Sequence, residues 1–324
     1  MRIGITSTIP SEIVLSAGHT LVDLNNVFIA SADRKEFVLT AERHGFPASC
    51  CGWIRGIFGA LNHGIDIDAL VAVSGGDCSN TNALAEVLRL DGIRVIPFSY
   101  PYAANERVLL QELAALALAF DTDIERAERI RSEISPIREQ LLALDAALAD
   151  GRIRPAEYSR LALASSDYMS NVNEYAAEVS AEVKSIELLK PQRWGLPIAL
   201  TGVPPIIPDL HNTLEMCGLQ VVFDEIPRQF TMPFRAHSLV EQYSKYTYPY
   251  GMAYRTGDIA EQCRIRGVKG IIHYTQSFCF RAIEDIVLRR MVDLPILTIE
   301  GDAPEFADER LRIRLESFAE MLAA

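Results

Sequence analysis

This sequence has no apolar run long enough to cross a membrane, no basic cluster, no paired-cysteine motif and no phosphate-binding loop. Each absence removes a class of function. The longest apolar stretches, such as Leu113 to Phe120, fall far short of the roughly 20 residues a membrane-spanning helix needs. The chain opens on the strand-like Arg2-Ile-Gly-Ile-Thr-Ser, without the basic region and apolar block of a secretory signal, so a cytoplasmic protein with no membrane partner is expected. A formal net charge of −12 repels phosphate backbones, and the basic residues are spread along the chain, which argues against nucleic acid as a partner. No G-x-x-x-x-G-K-[ST] motif is present; Gly75-Gly76 and Gly56-x-x-Gly59 read as turn-forming glycines. Cysteine is scarce, with six in 324 residues, and no C-x-x-C pair exists, which excludes a zinc ribbon. In a reducing cytosol these six are expected to be thiols or metal ligands and not disulfides.

What is present is a chain 49% hydrophobic and 23% charged, long enough for two domains. Apolar, β-branched runs alternate with helical patterns, the mark of parallel βαβ construction. Strands are expected at Arg2 to Thr6, Thr20 to Phe28, Ala69 to Ser74 and Ile93 to Ser99, and again at Leu196 to Gly202, Leu219 to Asp224, Val268 to Tyr274 and Pro295 to Glu300. An amphipathic helix over Glu305 to Leu322 closes the chain. Between these sets, Ala104 to Leu189 carries apolar residues at helical spacing and reads as three or so long helices, with a break at Gly151 and Pro155. The expected fold is therefore α/β: two Rossmann-like lobes with parallel sheets, residues 1–103 and 191–324, joined by a helical segment, residues 104–190.

Cys78 follows one expected strand through Gly75-Gly76-Asp77, and Cys279 follows another. Both stand at carboxyl ends of parallel strands, where open α/β sheets bind ligands, and beside helix N-termini whose dipoles favour a thiolate. Cys50 and Cys51 precede the helical Gly52-Trp-Ile-Arg-Gly-Ile-Phe-Gly. Spacing alone leaves Cys51, Cys78 and Cys279 open between metal ligands and packed thiols. Cys217 and Cys263 lie near the ends of helices that feed strands, at the opposite edge of the sheet, and read as small packed hydrophobes.

The residues around the first three cysteines resemble the D-component family of 2-hydroxyacyl-CoA dehydratases. The matching stretches are Cys51-Gly52-Trp53-Ile54-Arg55, Gly76-Asp77-Cys78-Ser79-Asn80-Thr81, and Ile272-His273-Tyr274-Thr275-Gln276-Ser277-Phe278-Cys279, followed by Leu294 to Asp302 and the closing helix. That resemblance implies two flavodoxin-like lobes holding a 4Fe-4S cluster between them on Cys51, Cys78 and Cys279, with one iron left for substrate or water. It further implies a lyase or reductase acting on an acyl-CoA or other small molecule, and a separate ATP-hydrolysing iron-sulfur activator protein as electron donor. The doublet Cys50-Cys51 and the segments Phe223 to Phe230 and His273 to Arg281 look closer to the family's double-cubane branch. There an 8Fe-9S cluster needs about six thiolates, and Cys50 counts among the cofactor-binding residues. Pairing with a second copy or a sister subunit is expected. A non-catalytic binding protein of the same fold is the third reading.

Further candidates sit near these cysteines. His273 ends a strand and either donates a proton or is a satisfied strand-end imidazole. Arg55 either neutralises cluster charge or forms a surface ion pair. Gln276 and Ser277 are candidate hydrogen-bond donors to a cluster or its ligand. Asp224, Glu225 and Arg228 are placed to line an interlobe cleft, and Tyr243, Tyr246, Tyr248 and Tyr250 read equally as a substrate-facing loop or an interlobe contact.

Overall fold

The computed structural model describes residues 1–324. Eight strands, all in parallel pairs, form two four-stranded sheets. The first contains β1 (Arg2–Ile5), β2 (Thr20–Asp23), β3 (Ala69–Gly75) and β4 (Val95–Ser99), and the second β5 (Leu196–Gly202), β6 (Leu219–Asp224), β7 (Gly270–Thr275) and β8 (Ile296–Glu300). Their orders are β2-β1-β3-β4 and β6-β5-β7-β8, so each lobe places its first strand second and then reverses direction. The lobes repeat one architecture without a visible sequence repeat. That order begins as the flavodoxin-like winding does, and its switch point lies between the first and third strands of each lobe.

Helices cover both sheets. In the first lobe these are α1 (Ser11–Ser16), α2 (Leu24–Ala30), α3 (Arg34–Arg43), α4 (Gly52–Asn62) and α5 (Ser79–Leu90). The middle segment supplies α6 (Glu106–Ala119), α7 (Ile124–Asp150), α8 (Pro155–Leu163) and α9 (Val172–Ile186). The second lobe has α10 (Leu210–Met216), α11 (Glu225–Phe230), α12 (Leu239–Lys245), α13 (Met252–Arg266), α14 (Arg281–Met291) and α15 (Glu309–Ala323). No helix is long and apolar enough to cross a membrane.

The departures from expectation have local causes. The strand expected over Thr20 to Phe28 stops at Asp23, because the Asp23 carboxylate accepts the Asn25 N–H at 2.9 Å and caps α2. The middle segment forms four helices and not three; the Asp123 carboxylate caps α7, and positive φ values at Tyr168, Met169 and Ser170 turn the chain before α9. β7 starts at Gly270 and not Val268, since Gly267 adopts φ 67° and the Val268 N–H closes α13 on the Cys263 carbonyl at 2.9 Å. The Gly56-x-x-Gly59 pair makes no turn. Both glycines lie inside α4, where a Cβ on Gly56 would meet the Phe28 ring at 2.3 Å and one on Gly59 the Phe37 carbonyl at 2.1 Å. Gly76 is a turn residue, with φ 84°.

Cores form on both faces of each sheet, but one of them crosses the chain segments. Ile226, Phe230, Leu239, Tyr243, Tyr246 and Tyr250 pack into the cluster built on β1, β3 and β4. The tyrosine-rich stretch is therefore an interlobe contact, with Tyr248 of it also lining the cavity between the lobes, and the α11 to α12 region ties the second lobe to the first. A buried ion pair strengthens the tie: Arg138 of α7 binds Glu12 of α1 at 2.6 Å, and Gln242 of α12 donates to the same carboxylate at 2.7 Å.

Candidate functional site

Parallel sheets send all their following loops to one edge, so the two switch points can face each other only across the seam between the lobes. A cavity of about 380 Å³ opens there. Its walls come from the loops after β1 (Thr6, Ser7), β3 (Asp77, Cys78), β5 (Val203, Pro204) and β7 (Ser277, Cys279), closed on one side by Ser159, Arg160 and Leu163 of the helical segment. The lining is mainly apolar, including Ile29, Trp53, Ile57, Pro205 and Phe230.

Cys51, Cys78 and Cys279 all line this cavity, two from the first lobe and one from the second. Cys51 and Cys78 are the N-cap residues of α4 and α5, and the Cys78 sulfur accepts the Asn80 N–H at 3.4 Å. Helix dipoles at these positions favour thiolates, but burial wins. It pushes the Cys51 thiol up to about 12 against the N–H groups of Ile54 and Trp53, and the neighbouring Cys279 and Cys78 push the same way. Cys78 is raised for the same first cause. Without a metal, then, Cys51 and Cys78 are thiols; bound iron would supply the positive charge that removes their protons.

No set of three or more His, Cys, Asp or Glu side chains converges as a single metal ion requires. A cubane instead takes each thiolate on a different iron, so its ligands surround a volume and not a point. Two buried donors near these thiols stay unpaired. The side-chain carbonyl of Gln276 accepts the Gly52 N–H at 2.9 Å and the Cys51 thiol at 3.1 Å, which orients the amide and leaves its buried Nε2 without an acceptor. Trp53 Nε1, on a cavity-lining residue, is likewise buried and unpartnered. An orphaned buried donor costs about 1–3 kcal/mol, and Gln276 itself is not among the residues that line the cavity. The fit to a cluster rests on the donor set, three thiols that share one cavity.

Other expected site residues are placed differently. Ser277 lines the cavity, its N–H donating to Asp302 at 2.7 Å and its hydroxyl to Glu300 at 3.3 Å. Arg55 is buried away from it, paired with Glu42 and donating to the Asp302 carbonyl at 3.3 Å. His273 points to the far face of its sheet, where Nδ1 meets Asp285 at 3.0 Å and burial pushes the imidazole below its usual value. The alternation of a strand explains this: Tyr274 faces one side, so His273 must face the other. Cys50 packs among Phe58, Leu84 and their neighbours beside the cavity and does not line it. Cys217 and Cys263 pack in the second lobe, Cys217 at the end of α10 and Cys263 buried on α13, and neither reaches the cavity.

Glu225 and Arg228 also miss the cavity; Glu225 is bonded to Arg255 at 2.7 Å and Arg228 to Asp258 at 2.6 Å. Asp224 reaches it only through His211, whose Nε2 lies 2.9 Å from the carboxylate. Asp77 and Arg281 are further cavity residues that motif reading passed over. Crowding by protein pushes the Asp77 carboxyl up to about 6, opposed by the Cys78 N–H and the Arg281 guanidinium. Arg281 stacks on Tyr248 at 4.2 Å and donates to the Tyr248 carbonyl at 3.0 Å. One signal pointed to His211: it opens a helix on the loop after the first strand of the second lobe, at the switch point.

Compared with models of protein families, the chain matches over residues 6–322 the one described as 2-hydroxyglutaryl-CoA dehydratase, D-component. A search of curated proteins found no match.

Proposed function

Since the chain belongs to the 2-hydroxyglutaryl-CoA dehydratase D-component family, and so to a dehydratase-type component, we propose that it is the iron-sulfur subunit of such a system, holding a 4Fe-4S cluster on Cys51, Cys78 and Cys279. The observation that carries this reading is that three cysteines remote in sequence, and from two lobes, line one cavity at facing switch points. Bound there, a cluster with one iron free of protein thiolate supplies a Lewis-acid site and single low-potential electrons. The chain's own part is to bury the centre and to keep water away with an apolar lining, while the Gln276 carbonyl orients the Cys51 thiol. Ser277 stands at the cavity with its hydroxyl donating to Glu300.

The electron comes from outside in this reading, from an ATP-hydrolysing activator protein, because the chain carries no phosphate-binding loop of its own. A reducing cytoplasm suits an oxygen-sensitive centre. The double-cubane alternative would need about six thiolates, and it is disfavoured by the positions of Cys217 and Cys263 in packed regions away from the cavity.

The test is iron and sulfide content with an electron paramagnetic resonance spectrum on anaerobically prepared protein. About four irons per chain are expected for a cubane, lost in Cys51→Ala, Cys78→Ala and Cys279→Ala and kept in Cys217→Ser and Cys263→Ser. Colourless, iron-free protein after anaerobic reconstitution would overturn the proposal, and about eight irons would favour the double cubane.

A further inference from the structure

The cavity holds four charged side chains, and all are committed to protein partners. Arg281 is bound to the Tyr248 carbonyl and to Glu284 at 3.1 Å, and Arg160 to Glu157 and Glu178, each at 2.7 Å. The Asp23 carboxylate accepts from Ser166 at 2.6 Å and from Asn25 at 2.9 Å. Asp77 accepts from Thr81 at 3.2 Å.

His211 differs. One ring nitrogen, Nε2, is held 2.9 Å from Asp224 Oδ2, and the other has neither a protein partner nor a covering of protein atoms. Asp224 closes β6 and is 2% exposed, while His211 lines the cavity and its side chain is 13% exposed. Nε2 of His211 is the one side-chain donor to that buried carboxylate. A buried carboxylate needs a donor, so Nε2 carries a hydrogen, and the neutral ring is left with its lone pair on Nδ1. Tautomer and ring direction are thus both set by one bond, the arrangement that makes a histidine a directed acid or base.

We propose that His211, oriented by Asp224, is the proton-transfer residue of the interlobe cavity, serving a small substrate that must be protonated as a hydroxyl leaves or as an atom is reduced. Protonated at Nδ1, the imidazolium gives that proton to the substrate and returns to the neutral form, and water reprotonates it; Asp224 stays a carboxylate throughout. The redox part of this role rests on the cluster reading of the preceding section. The hydrogen-bond geometry does not.

Hydroxylamine is the smallest probe of both chemistries: with two electrons from titanium(III) citrate and two protons it becomes ammonia and water, the N–O bond breaking and one N–H and one O–H bond forming. The second proton comes from solvent. In anaerobically loaded protein, His211→Asn and Asp224→Ala should keep their iron and lose turnover roughly 100-fold or more for His211→Asn, the scale of a general acid, and less for Asp224→Ala. An unchanged rate in His211→Asn, or iron-loaded wild-type protein without turnover, overturns the role. Independently of iron, long-range proton-nitrogen spectra of the histidine-labelled apoprotein should show His211 as the Nε2–H tautomer when neutral, a preference that Asp224→Ala abolishes. An Nδ1–H tautomer, or one indifferent to Asp224→Ala, overturns the inference outright. Wild-type protein that takes up no iron overturns the cluster reading instead and leaves the tautomer to decide this one.

Discussion

Gln276 and Cys51 belong to different lobes, and the Gln276 side-chain carbonyl accepts the Cys51 thiol at 3.1 Å and the neighbouring Gly52 N–H at 2.9 Å. One amide therefore caps the first turn of α4 and aims a cavity thiol at the same time. Changing it separates folding from ligand binding. Gln276→Glu keeps an acceptor at the helix N-terminus, where a carboxylate is favourable, but sets a negative charge against a thiolate. If the proposed cluster is bound, the variant should fold with a melting temperature close to wild type and hold iron at least roughly tenfold more weakly, since like charges at this range shift such equilibria by a unit or more. Iron retention during gel filtration measures it, and full retention would contradict the placement of Cys51 as a ligand.

The buried pair of Glu12 and Arg138 gives a stability prediction. Glu12 is fully buried and accepts from Arg138, from Gln242 and, at 2.8 Å, from the Tyr243 hydroxyl. Arg138→Met strands the carboxylate and should cost about 3–5 kcal/mol in urea unfolding, whereas the double variant Glu12→Gln with Arg138→Met should recover much of the loss. A double variant that costs the sum of the two single variants would mean that the pair is not coupled.

Burial alone would raise Glu12, but Arg138, the backbone and Gln242 reverse this and hold it below its ordinary value. The folded state then releases this proton more readily than the unfolded chain. The resulting stability is present above the ordinary glutamate range and is lost as pH falls through the depressed value. Double-variant protein should show a weaker acid limb in its unfolding curve than wild type.

Asp23 and Asp167 act in the opposite sense. The Asp23 N–H donates to Asp167 at 2.8 Å, and burial raises both carboxyls, Asp167 being pushed up to about 7 with the charge on Asp23 as a second cause. Here the folded state binds the proton more tightly. The contribution is full below the ordinary aspartate range and is lost as pH rises from there to about 7. Asp167→Asn should therefore gain stability over wild type at pH 8 relative to pH 5, read from urea midpoints at the two values; a difference independent of pH would refute it.

Gly59 tests the packing of α4 on α3. A methyl group there would stand 2.1 Å from the Phe37 carbonyl, a backbone atom that cannot swing aside. Gly59→Ala should destabilise by about 1–3 kcal/mol or more in spite of alanine's better helix propensity, because overpacking outweighs propensity at a helix crossing. Thermal melting reads the sign directly.

Periodicity and turn chemistry were enough to reveal the eight strands, the parallel winding and the helical segment between the lobes, because these follow from local apolar spacing and from residues such as Gly151 and Pro155. Cys51, Cys78 and Cys279 stood out as strand-end or pre-helix residues for the same reason. Local pattern has no access to direction across a sheet or to partners distant in sequence. His273 and His211 show the difference: pleating turned the first away from the cavity, and the meeting of α10 with β6 aimed the second into it. The order of the residues thus determined the elements and the edge at which chemistry can occur. Packing decided which side chains share a cavity, since the contacts of Gln276 with Cys51 and of Arg138 with Glu12 join residues more than a hundred positions apart.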